Sequence, residues 1–378
     1  MDLEEDNSLQ RDLLESIFSR VPLTDLVSAR HVSKSWERSV SASLLYSNPP
    51  KPWLLLHKQS TRPPYKSSSH AYDPRSHVWI DVSHVPEMGP TLRSSNSTLL
   101  YSLTLSRLSF SFDPLHLTWH HVDPPRTWRV DPVVAIVRSR HVVVAGGGCD
   151  FEDDPLAVEV YDIEAGTWDT CQPMPAGFGD RASTTWLSVV AIGEKMLVVD
   201  KSTGAGHAFD LRAGSWSGPY CLSPEKENRL RCCLVGENGG RLILVGVIGL
   251  PDDREGISGV KLWELDDRSF DVKREIGEMP GDLVVRLGGE WVSFDILSSM
   301  SVCFVGDWVY LFHSSVPEEV FFCEMIPGGA CNWGHVRNDV VERDRVMLKE
   351  RLVFTCCDVG LGMLEKAMVC GGRDFTVR

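Results

Sequence analysis

Apolar and polar positions follow two different periods along the chain, and the change falls near residue 50. Over residues 8–47 the period is helical. Leu9, Leu13, Leu14, Ile17, Phe18 and Val21 recur at steps of one, three and four, which predicts an amphipathic helix capped at Asn7 or Ser8. Pro22 then suits the first turn of a second short helix carrying Leu23, Leu26 and Val27, because its missing N–H would be unpaired there anyway. A third helix is expected from Ser33 as cap, with Trp36, Val40 and Leu44 four residues apart. The run Asn48-Pro49-Pro50-Lys51-Pro52 stops helical structure and reads as a stiff hinge. Three helices in about 40 residues rarely bury enough surface to stand alone. Their apolar stripe therefore calls for cover, either by a partner or by the rest of the chain.

From Trp53 onward the pattern becomes short apolar runs bounded by Gly, Pro, Asp and Ser, as strands require. A repeat emerges: an apolar residue, an acid, and a large aromatic six positions after the acid. It occurs as Tyr72-Asp73 with Trp79, Phe112-Asp113 with Trp119, Tyr161-Asp162 with Trp168, Phe209-Asp210 with Trp216, and Trp263-Glu264 with Phe270. A looser copy joins Phe322-Cys323-Glu324 to Trp333. The six aromatics lie 40, 49, 48, 54 and 63 residues apart, within or somewhat above the period of propeller blades. The acid and the residues after it predict a hairpin turn, and the aromatic is expected to pack between neighbouring sheets. Upstream runs such as Val142-Val143-Val144-Ala145, Met196-Leu197-Val198-Val199, Leu242-Ile243-Leu244-Val245 and Trp308-Val309-Tyr310-Leu311 are expected to line a central channel. C-terminal strands at residues 352–356 and 367–370 lack an Asp-to-Trp half, and the first unit lacks an upstream partner. The C-terminus is therefore expected to complete the first of six blades. One segment is ambiguous, since Val341, Leu348 and Leu352 could share a helical face.

Composition narrows the function classes. The 378 residues include twelve Trp, 31 Gly and 22 Pro, which suits many short strands and turns. No run reaches the about 18 apolar residues of a membrane-spanning helix. Four acids among the first six residues stand where a secretory signal needs a basic region, so a cytosolic or nuclear location is expected. A net charge of -14 argues against nucleic acid and anionic membranes as partners. Eleven cysteines, including the pairs Cys232-Cys233 and Cys356-Cys357, never form C-x-x-C, so neither a disulfide framework nor a zinc ribbon is expected.

The sequence Leu9-Gln10-Arg11-Asp12-Leu13-Leu14-Glu15-Ser16-Ile17-Phe18-Ser19-Arg20-Val21-Pro22-Leu23-Thr24-Asp25-Leu26, continued by Arg30-His31-Val32-Ser33-Lys34-Ser35-Trp36, resembles an F-box. The repeats resemble kelch units, with Gly146-Gly147 keeping the double glycine, and the order of the two resembles the plant kelch-repeat F-box proteins. Gln10 and Ser33 depart from the usual proline and cysteine. The resemblance implies a three-helix all-α F-box domain over residues 1–48, a Pro-rich hinge at 49–52, and an all-β six-bladed kelch-type propeller over 53–378. It also implies a substrate receptor of an SCF-type cullin-RING ubiquitin ligase. Leu9, Leu13, Ile17, Pro22, Leu26, Val32 and Trp36 would dock on the SCF adaptor, and through it reach the cullin and RING subunits. The propeller would hold a client protein, by analogy an enzyme of phenylpropanoid or flavonoid synthesis. No chemistry would occur on this chain, whose contribution is proximity.

Other candidate chemistry is thin. Gly204-Ala205-Gly206 leads into a turn rather than a helix, so a dinucleotide site lacks its context, and the residues from Gly146 to Gly148 are better explained by positive φ. His116, His120 and His121 sit around a strand hairpin, where a four-residue step is too long to hold zinc. No hydrolase elbow, zincin or Walker sequence occurs, so no catalytic residue, metal or cofactor is expected. The loops after the inner hairpins carry Asp150, Phe151, Glu152, Asp153 and Asp154, then Asp252 and Asp253, then Glu318 and Glu319. They read either as ordinary solvated loops or as an acidic rim for a basic client patch with Phe151 as anchor. Two further readings stay open: a kelch scaffold without degradation, and an enzyme on a propeller.

Overall fold

The computed structural model describes residues 2–86, 88–96, 98–148, 154–224, 230–249, 256–288, 298–326, 329–341 and 350–378, with an N-terminal headpiece of helices and a six-bladed all-β propeller. The chain divides into two compact units: residues 1–87, 113–117 and 350–378 in one, residues 88–112 and 118–349 in the other.

The first unit contains three helices, α1 (Asp2–Phe18), α2 (Leu23–Ala29) and α3 (Lys34–Ala42), followed by a π-turn over Ser43–Ser47. Helix α1 runs straight through Asn7 and Ser8, so neither caps it. Pro22 sits one position earlier than expected, as the N-cap of α2, with extended ψ. Ser33 caps α3, its Oγ accepting from Trp36 N at 3.2 Å.

The same unit holds a five-stranded sheet in which the C-terminal strand Glu350–Cys357 lies along Trp53–Ser60 and Phe375–Val377 lies along Val78–Val82. Residues 367–370, expected to be a strand, are instead the end of a helix, Leu361–Val369, and its C-cap Cys370. Leu364 and Ala367 share one buried face there, which a helical period satisfies and an alternating one does not. Leu352 lies in a strand and Leu348 is outside the described residues, so a helix shared with Val341 is not formed through Leu352. The proline segment does not divide compact units either. One core joins Phe18, Leu23, Leu26, Val27 and Val40 of the headpiece to Trp53, Leu55, Ala71 and Ile80 of the sheet.

His57 is buried within this sheet, its Nδ1 2.7 Å from Ser69 Oγ. Burial, helped by the charges of His70 and Arg373, lowers its pKa from 6.5 to about 3. The unfolded chain therefore takes up this proton first. Its contribution to stability is complete above pH 6.5 and is lost by up to about 1.4 kcal/mol per pH unit as pH falls toward 3. The thermal midpoint is expected to drop between pH 7 and pH 5, and to drop less in His57→Gln. A wild-type midpoint unchanged over that range would contradict the assignment.

The second unit consists of five four-stranded antiparallel sheets, each in simple sequence order. The third blade is typical, with strands Val133–Val137, His141–Ala145, Val158–Asp162 and Thr167–Cys171. First strands of successive sheets are neighbours, as Leu187–Ile192 is to Val133–Val137 and to Leu230–Asn238. The channel therefore faces these first strands. The apolar runs expected to line it, at residues 142–145, 196–199, 242–245 and 308–311, are the second strands, buried between sheets.

The repeat acts as a turn clamp and an inter-sheet wedge. Asp162 Oδ1 accepts from Glu164 N and Ala165 N at 2.8 and 3.0 Å, and Asp210 Oδ1 from Arg212 N and Ala213 N at 2.9 and 3.0 Å. Tyr161 faces Trp168 across the ladder, and Phe209 faces Trp216. Each indole N–H then reaches a carbonyl of the preceding blade, Trp168 to Asp123 at 3.0 Å and Trp216 to Gln172 at 3.1 Å. The fifth copy is shifted. Asp266, not Glu264, clamps the turn through Arg268 N and Ser269 N, and Phe270 lies inside the turn at φ 61°, buried against Tyr220. Glu264 instead accepts from Arg274 of the next strand. Hydrogen bonds to the ionised form hold the Asp162 carboxyl well below the usual range, with Arg140 the largest cause, and Asp266 at about 2, with Ser269 N first.

Gly146 and Gly147 end the second strand of the third blade at φ 63° and 72°. A side chain on Gly147 would meet Pro132 N at 2.2 Å, so backbone conformation and close approach both demand glycine. The neighbouring Arg129 is fully buried. It donates to Gly146 O, Ala157 O and the Glu159 carboxylate at 2.9, 2.6 and 2.9 Å, while Glu159 also accepts from Arg126 N and Thr127 N.

Candidate interaction surfaces

The headpiece has two apolar faces with different fates. Leu13, Ile17 and Val32 are 62%, 48% and 62% exposed, although an isolated chain gains nothing from presenting them to water. Pro22 and Trp36 are half-buried, and the Trp36 ring meets Phe18 edge-on at 5.1 Å. Leu26 has no exposed surface and packs into the core shared with the first blade. Leu26, expected from the sequence to dock on a partner, is therefore enclosed by this chain itself. Leu9 lies on α1, with its side chain outside what is described. Leu45 and Tyr46 on the π-turn, at 70% and 83% exposure, add apolar surface that the sequence reading left out.

The position of this headpiece is fixed by hydrogen bonds as well as by its core. The Arg75 guanidinium, in the turn after Ser67–Asp73, donates to Asn48 O at 2.9 Å, Phe18 O at 2.7 Å and Val21 O. The Phe18 and Val21 carbonyls close α1 and the interhelical turn, and Asn48 O follows the π-turn, all at helix ends where acceptors are left unpaired. Asn48 answers with Nδ2 donating to Ser19 O at 2.8 Å and Arg75 O at 3.2 Å. Asp73 orders the Arg75 turn by accepting from Arg75 N and Ser76 Oγ. No sequence signal distinguishes Arg75 from other turn cations.

Of the loop acids, Asp150, Glu152, Asp153, Asp252 and Asp253 lie outside the described residues, as does Phe151. Asp154 and Glu318 are half-buried. Glu319 is balanced by Arg286 at 2.9 Å and lies 3.3 Å from His335 Nδ1, so this carboxylate is not a free rim charge. Arg286 comes from α4 (Gly281–Gly288), whose Leu283, Val284 and Leu287 pack into the core of the fifth and sixth blades.

At the opposite ends of these strands, within the second unit, the channel opens into a cavity of about 600 Å³. Its lining includes Phe112, Ile136, Arg138, Val190, Glu237 and Phe304. Arg138 and Ser139 both adopt positive φ in their turn, at 54° and 53°, whereas the equivalent turns use Gly193, Gly239-Gly240 and Gly306. Arg138 pairs with Glu194, which also accepts from Arg212 at 3.0 Å.

His116 pairs with Asp113, His120 stacks on Phe110 and Phe112, and His121 bonds Ser109. Among the described residues no three His, Cys, Asp or Glu side chains converge on a metal position, and the ten described cysteines are free thiols. After Gly204 comes the strand Ala205–Asp210, not a phosphate-binding helix. Among the described residues no helix is long and apolar enough to cross a membrane.

Residues 7–48 match the F-box domain family. An F-box/kelch-repeat protein of Arabidopsis thaliana is 40% identical over 378 aligned residues, covering 96% of this chain and 93% of its own. The chain belongs to the F-box/kelch-repeat family. A second Arabidopsis F-box/kelch-repeat protein is 24% identical over 73% of each chain, and Arabidopsis F-box only protein 6 is 23% identical over 79% of this chain and 64% of its own. An F-box joined to a kelch-type propeller is an organisation that suggests a substrate receptor of the SCF type.

Proposed function

We propose that this F-box/kelch chain is the substrate-recognition subunit of an SCF-type cullin-RING ubiquitin ligase, docking on the adaptor through Leu13, Ile17 and Val32 with Leu9, Pro22 and Trp36 alongside. The observation that carries the reading is the division of the headpiece. One apolar face is buried in cis while three large apolar side chains on the F-box remain open to solvent. The chain supplies no reacting group. It brings a client lysine near the charged conjugating enzyme, converting an encounter between separate molecules into one within an assembly.

The client is a protein held by the propeller, by family analogy an enzyme of phenylpropanoid or flavonoid synthesis, and its ubiquitination leads to proteasomal degradation. The acidic loop sequences at 150–154 and 252–253 would attract a basic client patch. Affinity purification under proteasome inhibition identifies the client as the protein enriched with wild type and stabilised when Leu13→Asp replaces it. Reversing Asp153 and Asp252 to lysine is expected to cut capture of that client about tenfold, chiefly through a slower association that loses its salt dependence. Unchanged capture would exclude the acidic rim.

Burial of Leu26 in cis favours a second reading, a scaffold whose headpiece serves only its own propeller. The two part at adaptor binding, which the scaffold lacks.

A further inference from the structure

The last helix of the chain, α5 (Leu361–Val369), connects to the headpiece from more than 300 residues away in sequence. Its buried face carries Leu364 and Ala367, and Leu364 enters the same core as Phe18, Leu23, Leu26 and Val27. Beside that core, the Glu365 carboxylate lies 2.9 Å from His31 Nε2 and 3.4 Å from Arg30 Nη1, at the C-terminal end of α2. Helix α5 is itself held along its length. His116 Nε2 meets Met363 O at 3.1 Å, and the Arg373 guanidinium, just past the helix, donates to Leu115 O and His116 O. Upstream, the strand Glu350–Cys357 pairs with Trp53–Ser60 through eight residues.

The element receiving this support cannot hold itself. Helix α2 has seven residues and no side-chain cap. Helices of that length are unstable in isolation because nucleation costs more than two turns return. Val32, one of the exposed docking residues, follows directly after His31.

We propose that α5 is a brace for the adaptor-docking headpiece, so that α2 and the following turn keep their conformation only when the C-terminus of the chain is seated on the first blade. The idea rests on the receptor reading for its consequence, adaptor affinity, but not for its structural content. It makes the F-box competent only after the C-terminal residues have been placed, which couples completion of the first blade to recruitment of the ligase.

Hydrogen exchange on the full-length protein, followed by mass spectrometry, tests the brace without any partner. Glu365→Arg and Arg30→Glu are each expected to accelerate exchange in residues 23–31 by roughly threefold to tenfold, and the double variant, which restores opposite charges, to return it toward wild type. Leu364→Ala is expected to give a larger acceleration in the same peptides through the cavity it opens. Should it unfold the first blade outright, the charge swap still decides the matter. Exchange in 23–31 that is unchanged in both single variants, or accelerated in the singles and not rescued in the double, overturns the brace. Adaptor affinity measured on the same proteins should follow exchange. If wild type fails to bind the adaptor, the receptor reading falls, whereas the exchange result still stands or falls by the charge swap.

Discussion

Leu13→Asp is expected to lower affinity for the SCF adaptor by at least about 30-fold, roughly 2 kcal/mol, as expected for a central apolar contact replaced by a charge. Leu13 is 62% exposed, and a carboxylate there meets water in the free protein. The thermal midpoint should therefore stay within about 2 °C of wild type. Titration calorimetry with purified adaptor, beside a thermal scan, separates loss of docking from loss of fold. Leu26→Asp makes the contrast. Its side chain is enclosed in the core shared by headpiece and first blade, so the same change there is expected to disrupt the unit itself. Equal tolerance at the two positions would mean that Leu26 is not enclosed in the shared core.

The second large effect is expected in the propeller. Arg129→Ala leaves the Glu159 carboxylate buried without its cation and deprives Gly146 O and Ala157 O of a donor. Desolvation already pulls the Arg129 pKa down, with Glu159 acting against it. Removing one partner of such a pair typically costs about 3–5 kcal/mol, while replacing both by apolar groups of similar size can be nearly neutral. Arg129→Met with Glu159→Leu should therefore be less destabilising than Arg129→Ala alone, though Arg126 N and Thr127 N then lose their acceptor. Urea denaturation with a two-state check reads both. An Arg129→Ala protein within about 1 kcal/mol of wild type would mean that water takes over the site.

Local chemistry explains which features were legible in the sequence. The helical stripe from Leu13 to Phe18, the Ser33 cap and the Asp162 and Asp210 turn clamps are settled within a few residues, and each reads directly, whereas Val21, expected on the same helix, falls beyond its end. The short apolar segment at 367–370 did not, because a run of that length fits a strand or a helix equally well and only tertiary packing of Leu364 and Ala367 decides. The fifth repeat was misaligned because Glu264 and Asp266 both fit the acid position, and only Asp266 is placed to accept from the turn amides.

The candidate surface was half legible for the same reason. Leu13, Ile17 and Phe18 on the first helix and Leu26 on the second are all apolar, and nothing local says which of them are covered in cis. That division is imposed by Trp53, Leu364 and Arg75, residues distant in sequence. The channel lining was misplaced because first and second strands of each blade are both apolar, and topology alone decides which one faces the axis.

The central claim is that this chain joins a ubiquitin ligase through its headpiece, and reconstitution tests it most directly. Purified full-length protein, adaptor and a cullin–RING pair are mixed in equal amounts and separated by size-exclusion chromatography with light scattering. The account predicts a single complex containing one copy of each, lost when Leu13→Asp is substituted; separate elution of the wild-type chain from an otherwise intact adaptor–cullin–RING assembly would contradict it.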